Sequence, residues 1–116
     1  MAHPTESSPF KGDGLRGTGR ACSGYLRITP EFIHWDTGIY ACKNIRYKTL
    51  ESRKAGSDFH AVYKLLNRPA KCPFEILTLD YTEQFVEGIG KGWNLTGYTT
   101  YKAWKKKDWG VDCGLY

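Results

Sequence analysis

Residues 93–116 read WNLTGYTTYKAWKKKDWGVDCGLY, and this stretch decides the class of fold. It opens with period-two alternation, which places Trp93, Leu95, Gly97, Thr99 and Tyr101 on one face of a half-buried strand. A basic, aromatic-rich run follows, and Cys113 stands close to the C-terminal Tyr116. A cysteine so near the end of the sequence makes sense when that end is tied covalently to another part of the molecule. The expectation is therefore a β-protein closed by a bridge.

Working back from this stretch, the same alternation recurs in short segments separated by turn residues. In residues 24–29, Leu26 and Ile28 oppose Tyr25, Arg27 and Thr29. Pro30 interrupts, and residues 31–35 resume with Ile33 and Trp35 opposite Phe32 and His34. In residues 39–54, Ile45, Tyr47 and Thr49 alternate with Arg46, Lys48 and Leu50. Residues 60–66 and 74–81 carry two more strands, and residues 93–104 a sixth. Residues 84–87 read as one helical turn stopped by Gly88, Gly90 and Gly92. Connections this short pair strands antiparallel. The expected fold is all-β, or mainly β with one short helical turn: an antiparallel meander of about six strands, closed as a small barrel or packed as a sandwich. Residues 1–21 contain glycine and proline with no periodicity and read as a flexible leader. One domain then spans residues 22–116.

Cys22, Cys42, Cys72 and Cys113 are even in number, widely spaced and without a CxxC pair, which favours two disulfides over a zinc site. Four cysteines allow three pairings. An up-and-down meander collects all four at one end, where the least strained choice is Cys42–Cys72 between neighbouring loops and Cys22–Cys113 between the ends of the domain. Disulfides of this kind belong to an oxidising compartment, so the expected location is exported: periplasm, outer membrane or extracellular space.

Aromatic residues make up 15% of the chain and charged residues 25%, a composition that suits a folded, β-rich domain. The net charge of +5 favours anionic partners. No run approaches the ~18 apolar residues of a transmembrane helix, and no signal-peptide pattern is present. The strongest candidate for binding is Tyr101, Lys102, Trp104, Lys105, Lys106, Lys107 and Trp109, where ammonium groups alternate with rings. Such a segment grips anionic polymers or sits at a lipid headgroup layer. The competing reading has Trp104 and Trp109 filling the base of the barrel with the lysines solvated. Tyr25 and Arg27, with Arg46 and Lys48, extend a basic face if those sides point outward.

Other motifs carry less. Gly88, Gly90 and Gly92 lack the following helix that a phosphate loop needs, and read as a hairpin bend. His3, His34 and His60 form no ligand set, no paired-carboxylate or nucleophile motif occurs, and oxidised cysteines do not act as thiol nucleophiles. The expectation is no enzyme, no metal and no cofactor. Asn94-Leu95-Thr96 matches a glycosylation acceptor, a triplet common by chance.

The layout of glycine-rich leader, compact disulfide-linked β-domain and Cys-Gly-Leu-Tyr ending resembles small exported bacterial lipoproteins, including the lysozyme-inhibitor barrels. That resemblance implies an inhibitor, whereas a partner for a cationic lysozyme should be acidic. The functional expectation is accordingly a monomeric, exported, non-catalytic binding module for an anionic glycan or membrane surface. A protein-protein module such as an inhibitor or immunity protein comes next, and a single-strand nucleic-acid-binding barrel third.

Overall fold

A computed structural model describes residues 14–17, 21–87, 90–108 and 110–116. Eight antiparallel strands run in sequence order round a closed barrel. They are β1 (Leu15–Gly17), β2 (Gly24–Ile28), β3 (Phe32–Asp36), β4 (Ala41–Ala55), β5 (Asp58–Leu65), β6 (Ile76–Val86), β7 (Gly90–Tyr98) and β8 (Val111–Leu115), with one short helix, α1 (Tyr101–Lys105), before the last strand.

The six expected strands correspond to β2–β7, with the faces read from alternation. Leu26, Ile33, Trp35, Ile45, Ala61 and Leu95 point into the lumen and are buried. Two strands complete the ring. Leu15–Gly17, inside the expected leader, forms β1, and residues 111–115 form β8. They meet at Gly17 opposite Leu115 and through reciprocal backbone hydrogen bonds of Arg16 and Tyr116, at 2.7 and 2.9 Å. The seam matters because an open sheet would expose two edges of unpaired backbone groups.

Two other expectations change. Residues 84–86 belong to β6 rather than to a helical turn, because Val86 pairs with Gly90 and extends the β6–β7 ladder. The sixth strand stops at Tyr98, and Tyr101–Lys105 is helical. Thr100 caps that helix, its hydroxyl accepting the Ala103 N–H at 3.0 Å, and Glu75 Oε1 accepts the Tyr101 N–H at 2.8 Å. The helix ends in a Schellman turn, with Lys107 N–H to Trp104 O and Asp108 N–H to Ala103 O, and Lys107 at φ 56°.

Both disulfides form as expected, Cys22–Cys113 and Cys42–Cys72, with sequence separations of 91 and 30. By loop-closure entropy they stabilise by about 4.5 and about 3.5 kcal/mol. Beside Cys42–Cys72, the Phe74 ring enters the lumen against Trp35 and Tyr40, with ring centroids 5.5 and 4.8 Å away. Gly97 makes room for it: a Cβ there would lie 2.7 Å from the ring. Near the opposite end Trp93 packs between Phe59 and Tyr81, at 6.0 and 5.0 Å. The β4–β5 hairpin turns through Gly56 at φ 62°, the positive value a two-residue hairpin turn requires.

Candidate functional site

β4 sets the character of the outer surface through two register shifts. At the first, Lys43 and Asn44 together face His34, with Asn44 at φ 52°, so that Cys42 and Ile45 both stay buried while two polar side chains turn outward. At the second, Leu50 is the extra residue, and its side chain packs outside the barrel with Val62, Ile76, Tyr98 and Trp104.

That outer cluster settles where part of the C-terminal segment lies. Trp104 is 6% exposed and covers Val62 and Ile76 on the outside wall, so it does not fill the base of the barrel. Tyr101 stacks edge-on against Trp104 at 5.3 Å and is 45% exposed. The Lys105 and Lys107 ammonium groups lie 4.9 and 6.0 Å from the Trp104 ring centre. Lys102 and Lys106 are exposed. Trp109 lies outside the described residues.

A larger cationic surface lies on the other half of the barrel. On β1, β2, β3 and the first half of β4, the outward cations are Arg16, Arg27, Lys43, Arg46 and Lys48, against the single carboxylate of Asp36. Asp36 pairs with Lys43 at 3.6 Å and accepts the Gly38 N–H at 3.1 Å. Arg16 lies over the Tyr25 ring at 4.9 Å. Among the described residues, Arg27, Arg46 and Lys48 have no acidic partner. Phe32, opposite Arg46 across the β3–β4 ladder, is 36% exposed. Alternation already pointed to Tyr25, Arg27, Arg46 and Lys48. Arg16 was hidden in the leader and Lys43 behind a bulge that no local pattern announces.

The β5–β8 half is built differently. Its strand carboxylates Asp58, Asp80, Glu83 and Asp112 are engaged inside the fold. Asp112 accepts from the Asn94 amide and the Thr96 hydroxyl, both at 2.6 Å. Asp58 accepts the Glu83 N–H at 3.0 Å. His60 ties three strands together, with Nδ1 2.5 Å from Asp80 on β6 and Nε2 3.2 Å from Glu51 on β4. A cleft of about 210 Å³ adjoins this tie, lined by Arg53, Asp58, Phe59, His60, Asp80 and Tyr81 among others. Both ring nitrogens of His60 are already committed to carboxylates, so the imidazole serves as a cross-strand clasp.

Burial acts on the phenols. It pushes the Tyr63 phenol well above its usual range, helped by neighbouring Tyr47. Tyr98 is raised by burial first and then by Asp112 and Asp80. The Tyr81 hydroxyl donates to Glu83 at 3.0 Å, and that bond raises it. Among the described residues no cluster of three metal-ligating side chains occurs, and no helix is long and apolar enough to cross a membrane. Compared with protein-family models, curated proteins and solved structures, the chain matches none.

Proposed function

We propose that this protein is an exported, non-catalytic binding module that holds an anionic glycan or lipid surface through the outer wall of β1–β4. One observation carries the reading: the carboxylates Asp58, Asp80 and Asp112 are satisfied internally, while Arg27, Arg46 and Lys48 stand exposed without acidic partners. Unpaired cations that share one side of a barrel create a positive potential with no structural task inside the fold. The two disulfides support an oxidising location, since such bridges persist outside the reducing cytosol. The α1 lysines supply a second, smaller cationic surface around a tryptophan that is already buried.

The test is equilibrium binding to immobilised heparin and to vesicles containing phosphatidylserine across a salt series. The reading expects affinity that falls linearly on a log–log plot against salt, with a slope near the number of cations engaged. Binding that ignores salt would overturn it. So would co-purification of one stoichiometric protein partner with no affinity for either anion, which would favour the inhibitor or immunity-protein class.

A further inference from the structure

We infer that the occupant of the β1–β4 wall is a flexible, linear acidic polysaccharide bearing carboxylate or sulfate groups and laid across the strands. This rests on the anion-binding reading of the wall and adds the shape and chemistry of the ligand.

Curvature is the first ground. β1 to β4 are consecutive strands of an eight-stranded closed barrel. Arg16 on β1 and Lys48 on β4 are therefore three strand steps apart, with the curved wall of the barrel between them. A flat bilayer resting on β2 and β3 leaves Arg16 and Lys48 turned away on opposite sides. A chain that bends follows the wall and meets both. With strands about 4.8 Å apart, β1 to β4 covers about 14 Å across the sheet. Arg16 is level with Tyr25, Asp36 and Ala41, and Lys48 lies seven residues further along β4. The path between the two cations is therefore oblique, roughly 25 Å long, and spanned by several sugar units.

Chemistry is the second ground. Arg16, Arg27 and Arg46 present guanidinium forks, which match the paired oxygens of carboxylate and sulfate better than an ammonium does. Arg16 is held in place by its stack on Tyr25, and the same stack covers that ring. Phe32 is left as the exposed large apolar ring among the described residues of the wall, while His34 is half-buried. Single-stranded nucleic acid is held by a succession of rings on which bases stack, and this wall does not offer one. A single ring beside Arg46 suits the apolar face of one sugar.

The experiment measures binding at one ionic strength to three probes: heparin oligosaccharides from disaccharide upward, single-stranded DNA of matched charge, and phosphatidylcholine vesicles containing phosphatidylserine. Affinity for the oligosaccharides is expected to rise by about tenfold with length and level off once the chain spans the wall, with DNA and vesicles about tenfold weaker. Arg16→Ser and Lys48→Ser, at the two edges of the wall, are each expected to weaken the longest oligosaccharide about threefold and the disaccharide by less. DNA or vesicles binding as tightly as the long oligosaccharide, or a disaccharide as tight as the long chain, overturns the inference and leaves the anion-binding reading standing. Absence of salt-sensitive binding to all three probes overturns both.

Discussion

On strands β5–β8, Asp58, Asp80 and Asp112 each have a partner within the fold, and α1 covers the apolar pair Val62 and Ile76. On β1–β4, cations outnumber carboxylates, and Arg16, Arg27, Arg46, Lys48 and Lys54 have no counter-charge among the described residues. On β5–β8 the strand carboxylates are tied up by structure and the free charge is confined to lysines such as those of α1; on β1–β4 the free charge lies on the strands themselves. Charge that binds nothing internally contributes little to stability and raises self-repulsion. Where the two halves differ so clearly, stability and binding should be separable by mutation, and the following substitutions test that separation.

The largest effect is expected on the closed half. Trp104→Ala removes a buried ring and uncovers Val62 and Ile76, with an expected loss of about 3 kcal/mol in denaturant unfolding. Anion affinity should stay close to that of the parent. If binding vanished in a variant that remained folded, the functional site would lie at α1 instead.

A smaller loss is expected when the clasp is opened. His60→Ala leaves Asp80 and Glu51 facing each other without the imidazole between them, at a cost of about 1 kcal/mol given their partial exposure. Thermal unfolding should show a lower midpoint, again with unchanged anion binding. A midpoint equal to the parent's would mean the clasp is ornamental.

Alkaline titration probes the lumen that both halves share. Burial raises the Tyr63 phenol when the chain is folded, so the native state keeps its proton while the unfolded chain loses it above the phenol's ordinary value of 10.0. The native state then binds more protons, and stability falls as pH rises above that value. Its contribution is fully present below that value. Tyr63→Phe should flatten this part of the decline; an identical pH profile would remove Tyr63 from the account.

The smallest effect concerns the helix end. Lys107 adopts a left-handed conformation that glycine takes without cost. Lys107→Gly is expected to stabilise by about 0.5 kcal/mol, allowing for the greater entropy of glycine in the unfolded chain. Calorimetry reads the gain as a raised melting midpoint, and a lowered one would show that the Lys107 contact with the Trp104 ring outweighs the backbone strain.

Much of the barrel was legible because period-two alternation reports which side chains face the lumen. Leu26 and Ile28, Ile33 and Trp35, and Ala61, Tyr63 and Leu65 all follow it. The bridges were legible for the same reason, since a meander brings Cys42 near Cys72. The closing strands were not. β1 has three residues in a glycine-containing stretch, and its pairing comes from β2 and from the seam with β8 rather than from any preference of its own. α1 is too short to be stable alone, and its residues include Tyr and Trp, which favour strands. It is held by Glu75 at its start and by Trp104 against the outer wall, neither of which local pattern reports. The free cations followed the same division. Arg27, Arg46 and Lys48 were readable from alternation once the inward face was known, whereas Arg16 required the β1 strand and Lys43 the bulge at Asn44.

Whether the wall or the helix holds the anion is read by comparing two triple variants on immobilised heparin across a salt series. Arg27→Ser, Arg46→Ser and Lys48→Ser together strip the open wall, and Lys102→Ser, Lys105→Ser and Lys106→Ser together strip the helix. The wall variant is expected to lose about thirtyfold in affinity and about three units of salt slope while keeping its melting midpoint. The helix variant should stay within about threefold of the parent. The reverse order, with the helix variant losing binding and the wall variant keeping it, would contradict the account.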